Sequence, residues 1–454
     1  MRTAALGRVC AVLLGVALLA GCASSSRVEQ VPILLEDAAD LRERMDELQE
    51  QVAELTAHHE VAACRLPNRA GHGWLSTGFP ISPEQIPASG NVNVAVLFVD
   101  FPDAPEPVAG LKSFGHAATP GFENFEDDLR VAEDYLQAMS YGALDLTFRP
   151  LFKWLRMPHS ISWPYSDFWG DGSDSVPNRL KNSRSLSMAR SHLVADAIEV
   201  ADLEFDFKDI DSVVVIATPK ADSIKIGLTQ RSLDPAFYPD GQKIENVISM
   251  GLTYERGFSS RVAGITAHEV GHLLGLPDLY RYRDPDGTWS ANEGKSLVGV
   301  FGVMGGNLFR WPAQSEMFAW SRWQLGWLRD TQIACLTSFP GSVQLTPLAL
   351  AGGIKAVVVP LTETTALVIE SRRRLGYDNA LGSLTPMKLK QGALVYRIDT
   401  SVRSGKGPIV VGSVSRPPDN NALLGPGEVW NSDGYSVTVK EATPEGDLVV
   451  ITAP

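Results

Sequence analysis

The chain has 454 residues, 44% of them hydrophobic and 20% charged, which suits a globular protein with room for more than one domain. Its formal net charge is −13, so it lacks the basic balance that nucleic acid or an anionic surface selects, and no nucleic-acid partner is expected.

Residues 1–21 read as a targeting segment. Arg2 and Arg8 make a basic start, and Val9–Leu19 is an apolar run too short to span a bilayer comfortably. Leu19-Ala20-Gly21-Cys22 resembles a bacterial lipobox, which implies cleavage before Cys22 and lipidation of that cysteine. Ala23 follows it where an inner-membrane retention signal has Asp. The expectation is therefore an outer-membrane lipoprotein of the bacterial cell envelope, facing the periplasm or the surface. A plain secretory signal is the alternative. Once Cys10 leaves and Cys22 carries lipid, Cys64 and Cys335 remain in a compartment that permits disulfides, and one bridge between them is the simplest pairing. The alternative is a Cys64 thiolate that caps a catalytic metal in a latent form.

Residues 22–90 read as tether, helix and linker. Leu34, Leu41, Met45, Leu48, Val52 and Leu55 follow a seven-residue pattern among charged positions, so 34–55 is expected to be a helical stalk or a short oligomerising coiled coil. His58 and His59 read as solvated. Pro67–Asn91 is rich in Pro, Gly and Ser and reads as a linker.

Residues 91–335 carry the pattern of helices packed on a mixed sheet, an α+β or α/β domain. Val92–Val99 is a near-continuous apolar run, as in a central strand. Phe125, Leu129, Ala132, Leu136 and Met139 recur at helical spacing, and Ser140-Tyr141-Gly142 closes that helix. Leu144, Leu146 and Phe148 alternate with polar residues, as in a half-buried strand. Asp167–Asp174 clusters acids with glycines. A solvated loop is the simpler reading, and a Ca2+ site is the alternative. A second helix is expected near Leu186–Val200 and a buried strand at Val213–Ala217.

The most informative segment follows. His268-Glu269-Val270-Gly271-His272 is an H-E-x-x-H sequence, and residues four apart share one face of a helix. His268 and His272 can thus meet one Zn2+ ion, with Glu269 placed to act as general base on a water held there. Gly275 accepts the left-handed backbone that ends a helix, Pro277 discourages its continuation, and the turn can return Asp278 as a third ligand. Asp284 and Glu293 are alternatives for that ligand. Tyr280 is a candidate second donor to a developing oxyanion, with a packed tyrosine as the equal alternative.

Residues 336–454 change character. Short β-branched runs at 355–360, 366–369, 393–398, 409–411, 435–439 and 448–451, separated by Gly, Pro, Asn and Asp, suggest an all-β, sandwich-like C-terminal domain.

These motifs together resemble the immune inhibitor A family of secreted bacterial metallopeptidases. Val99-Asp100-Phe101-Pro102-Asp103, Ser140-Tyr141-Gly142, His268 to Tyr280, Gly302-Val303-Met304-Gly305-Gly306, Trp320–Trp327, Glu370-Ser371-Arg372 and Gly392–Asp399 carry the likeness. It implies a metzincin-like zinc endopeptidase domain with ligands His268, His272 and Asp278, the base Glu269, and Met304 in a turn beneath the metal. Protein or peptide substrates follow. An anchored surface protein that uses an inactive peptidase fold for binding is the alternative. The intact Glu269 beside two ligands weighs against it.

Overall fold

The computed structural model describes residues 42–46, 48–49, 60–68, 75–82, 85–106, 121–161, 183–221, 224, 227–231, 236–251, 262–282, 297–305, 315–379, 390–412 and 422–453. The lipobox with Cys22, most of 34–55, His58 and His59, the acidic segment 167–174, Asp284 and Glu293 lie outside them. The chain divides into Met1–Ala57 and His58–Pro454. In the first unit, residues 42–46 and 48–49 are helical, and Met45 and Leu48 are exposed. No helix among the described residues is long and apolar enough to cross a membrane.

The second unit is a mixed α/β structure with three sheets and few helices among the described residues. Strand β1 (Gly90–Asp100) is its central element, and its apolar run is buried on both faces. Val92, Val94, Val96 and Phe98 enter one core, while Ala95, Leu97 and Val99 enter another, as the two-residue period of a strand requires. Helix α1 (Phe122–Met139) covers the first of these faces with Phe125, Leu129, Ala132, Leu136 and Met139. It ends where Tyr141 (φ 53°) and Gly142 (φ 80°) turn left-handed. The chain then enters β2 (Leu144–Arg156), parallel to β1, with Leu144, Leu146 and Phe148 inward. Helix α2 (Ser183–Ala201) packs Leu193, Val194, Ala197 and Ile198 on the opposite face. Strands β3 (Ser212–Ala217), β4 (Leu228–Gln230) and β5 (Val247–Gly251) complete a five-stranded sheet in the order β2-β1-β3-β5-β4. All its pairs are parallel except β4, which lies antiparallel to β5 at the edge. Helix α3 (Val262–Leu273), which carries the H-E-x-x-H residues, packs into the same core as α1.

After the short helix α4 (Ala319–Gln324) and a 3-10 turn at Asp330–Gln332 the described strands are β6 (Ile333–Cys335), β7 (Gly341–Leu345), β8 (Ala356–Pro360), β9 (Thr365–Arg372), β10 (Gly392–Asp399), β11 (Ile409–Val411), β12 (Leu423–Leu424), β13 (Val429–Ser432), β14 (Tyr435–Thr443) and β15 (Gly446–Thr452). One sheet runs β11-β10-β9-β8-β6 with β12 beside β10, and a second runs β13-β14-β15-β7. Val357, Val359, Leu367, Ile369 and Val395 face Val437, Val439, Val449 and Ile451 between these sheets. The alternate residues Val358, Val368, Leu394, Tyr396 and Ile398 face the other way, into the core shared with α1 and α3. The face of the first sheet turned away from the second therefore packs into the core that holds α1 and α3.

Buried charge reinforces that junction. Glu370 accepts from the Tyr396 hydroxyl at 2.8 Å and from the Ala319 N–H at the start of α4 at 2.8 Å. Arg372 donates to Glu370 at 2.7 Å and to Asp378 at 3.0 Å, so the buried guanidinium lies between two carboxylates. The described part of the segment whose composition reads as a linker is docked within the second unit. Its carbonyls at Thr77 and Ala88 accept from the indoles of Trp320 (2.7 Å) and Trp327 (2.6 Å), partners that lie over 230 positions along the chain. Cys64 and Cys335 form a disulfide with a Cα–Cα distance of 5.8 Å. No thiolate remains at Cys64 to cap a metal.

Candidate metal centre

Three buried side chains converge at the C-terminal end of α3. One ligand atom each from His268, His272 and Asp278 lies within 4.8 Å of the others. Asp278 Oδ1 is 3.0 Å from His268 Nε2 and 3.4 Å from His272 Nε2.

Local backbone chemistry produces this convergence. At the end of α3 the Gly275 N–H donates to the His272 carbonyl (2.8 Å) and the Leu276 N–H donates to the Gly271 carbonyl (2.9 Å). This paired motif needs a left-handed residue, and Gly275 has φ 96°. A Cβ there would also meet the end of the Gln85 side chain at 1.9 Å, which would have to swing aside. The turn brings the Leu276 carbonyl 2.7 Å from His272 Nδ1 and carries the chain round to Asp278. His268 Nδ1 lies 3.1 Å from the Val303 carbonyl, in the turn that bears Met304. A carbonyl only accepts, so each Nδ1 carries its proton and each Nε2 offers a lone pair inward. Met304 is buried against α3 where Gly271 leaves room: a Cβ at Gly271 would meet its sulfur at 2.5 Å.

The donor set fits a cation. Asp278 Oδ1 is buried without a hydrogen-bond partner, and it faces the Nε2 atoms of His268 and His272. Three acceptors face one another, which is costly unless a positive charge lies among them. Two imidazoles and one carboxylate are a three-ligand set of the catalytic zinc kind. The electrostatics show that the cluster draws positive charge. Burial alone would lower the His272 pKa, yet the Asp278 carboxylate outweighs it and pushes it up to about 9. Burial would likewise raise the Asp278 pKa, but the facing imidazoles hold it well below the usual carboxylate range.

Glu269 is buried on the same helix, one residue after the first ligand. Its Oε2 accepts from the Thr229 hydroxyl at 2.7 Å, and Gly227 lies so near that a Cβ there would meet Oε1 at 2.3 Å. Both contacts come from the edge strand β4 and its approach. The Tyr280 ring stacks on His268 with centroids 6.1 Å apart. Tyr282 donates its hydroxyl to Asp278 Oδ2. Thr229, Gly227 and Tyr282 carry no spacing signature in the sequence. Only Tyr282, four residues beyond Asp278, lies where proximity to the motif could have raised it.

No family model matches the chain, and no curated protein matches it. Among solved structures, the crystal structure of catalytically inactive OgpA from Akkermansia muciniphila, in complex with an O-glycopeptide (glycodrosocin) substrate, is similar over 73% of this chain and 93% of that chain, at 11% identity and a TM-score of 0.24. A superposition that loose carries no argument about fold or chemistry.

Proposed function

We propose that the chain is a zinc-dependent endopeptidase of the metzincin-like kind, anchored to the bacterial envelope through Cys22. The observation that carries the reading is the buried, donor-free convergence of His268 Nε2, His272 Nε2 and Asp278 Oδ1 beside a carboxylate held in place. Zinc, when bound there, would lower the pKa of water and polarise a carbonyl group. Every other role falls to the chain. His268 and His272 are fixed in one tautomer by backbone carbonyls, so both present the same ring nitrogen without rearrangement. Glu269 takes a proton from the attacking water at its carboxylate and returns it to the leaving amine. Thr229 keeps that carboxylate in one orientation between the two transfers.

Strand β4 supports a peptide as the substrate. It ends the five-stranded sheet beside Glu269, and among the described residues no strand pairs with its outer side. An extended peptide can add there by main-chain hydrogen bonds. The targeting signal and lipobox of the sequence support the anchored form.

The test is Glu269→Gln in the zinc-loaded protein, assayed on a mixed peptide library. The expected outcome is retained zinc with cleavage reduced about 10²–10⁴-fold, the usual contribution of a general base. Chelation should abolish wild-type cleavage, and added zinc should restore it. Equal cleavage by both proteins, or none by zinc-loaded wild type, would sink the proposal.

A further inference from the structure

A hairpin from the C-terminal strands reaches back to the third ligand. Between β10 and β11 the chain turns through residues 400–408, and Asp399 and Pro408 close the turn by a 2.9 Å hydrogen bond. Its tip lies along the segment that follows α3. The Asp278 N–H donates to Ser404 Oγ (2.9 Å), the Gly405 N–H donates to the Asp278 carbonyl (3.0 Å), and the Tyr282 N–H donates to the Gly405 carbonyl (2.9 Å). The Tyr282 hydroxyl lies 3.2 Å from Ser404 Oγ and donates to Asp278 Oδ2. Because its one proton goes to Asp278, the Ser404 hydroxyl is the donor to Tyr282. Asp278 is thus held at its N–H, its carbonyl and one carboxylate oxygen, all through residues 404, 405 and 282. Only Oδ1 is left unpartnered.

The close approach is built for glycine. Gly405 has φ 68°, and a Cβ there would meet the Tyr282 ring at 2.2 Å.

We propose that the β10–β11 hairpin is a positioning element for the metal site, in which Ser404 and Tyr282 together fix the Asp278 carboxylate so that Oδ1 alone faces the ion. The inference rests on the reading of His268, His272 and Asp278 as zinc ligands. It gives the C-terminal strands a part in the site itself. Holding one oxygen by hydrogen bonding leaves the other to bind in a single geometry, and losing such a partner typically costs about 10–100-fold in metal affinity.

Zinc dissociation constants measured by competition with a chromophoric chelator test this on the full chain. Tyr282→Phe and Ser404→Ala should each weaken zinc binding about 10–100-fold. Ser404→Thr keeps the hydroxyl and should stay near wild type. Ser401→Ala, on the same hairpin but away from Asp278, should match wild type. Tyr282 is 40% exposed and Phe preserves its ring, so folding is retained, and unfolding of each metal-free variant is followed alongside. Wild-type affinity in both Tyr282→Phe and Ser404→Ala overturns the positioning role and leaves the zinc site standing. Failure of the wild type to bind zinc overturns the site and the positioning role together. Equal weakening by Ser401→Ala shows a general effect of the hairpin and overturns the specific role of Ser404 and Tyr282.

Discussion

Thr229 and Glu269 show how much of the site depends on single buried contacts. A carboxylate that must take up and release a proton works best when its orientation is set beforehand. The Thr229 hydroxyl does this at 2.7 Å, giving its one proton to the carboxylate. Thr229→Val keeps shape and removes the hydroxyl. It is expected to lower kcat roughly tenfold, in keeping with a bond to a charged group of about 1.5–3 kcal/mol, while zinc content stays unchanged and Thr229→Ser recovers most of the rate. Zinc loss in Thr229→Val would refute this. Asp128 presents a different case. It is buried in α1, and burial, aided by neighbouring Asp127, pushes its pKa up to about 7. A carboxyl whose folded pKa is raised contributes most to stability below its unfolded pKa, and that contribution is lost as pH rises through about 7. Asp128→Asn should therefore gain stability relative to wild type between pH 5 and pH 8, on the order of 2 kcal/mol, read from denaturant unfolding at both pH values. A difference independent of pH would show that Asp128 does not titrate in this window.

Among the elements, β4 and the end of α3 matter most, and both are defined by glycine. Gly227 lets the edge strand approach Glu269 more closely than any side chain would permit. Gly227→Ala should displace Glu269, the proposed base, cutting kcat with little change in zinc affinity. Gly275 has a different task, since its left-handed turn carries the chain from His272 to Asp278. Gly275→Ala meets both strain at φ 96° and the Gln85 side chain. It should cost about 1–3 kcal/mol of stability, seen as a lower unfolding midpoint, and should weaken zinc binding as well. Wild-type stability in that variant would show that the turn accommodates a side chain. Gly275 stood out in the sequence because its place after two histidines is a recognised stop for a helix. Gly227 did not, because three residues of edge strand carry too little pattern to mark a strand, and closeness to a residue over forty positions away leaves no local trace.

The whole second unit is joined by long-range ties of several kinds. The disulfide links Cys64 to Cys335, 271 positions apart, and so fastens the segment before β1 to strand β6. A cross-link spanning so much chain restricts the unfolded state. Cys64→Ala with Cys335→Ala should lose about 2–4 kcal/mol relative to the oxidised protein and should no longer respond to reductant. Unchanged stability would mean that packing alone carries this junction. The Arg372 carboxylate cluster and the face of β8, β9 and β10 turned away from the second sheet hold the sandwich against the helices.

By itself the sequence determined the features that repeat within a few residues. Val92–Val99 had to be a central strand because its run is apolar on both faces, α1 had to be a helix because its apolar residues recur every three or four, and His268, Glu269 and His272 had to share a helix end because of their spacing. The tertiary structure alone decided what holds those groups. Thr229, Gly227, Ser404 and Tyr282 reach the site through side-chain and main-chain contacts between distant segments, and no local periodicity encodes such contacts. The sandwich face shared with α1 and α3 arose the same way, because a strand's pattern tells that both faces are buried and not what covers them.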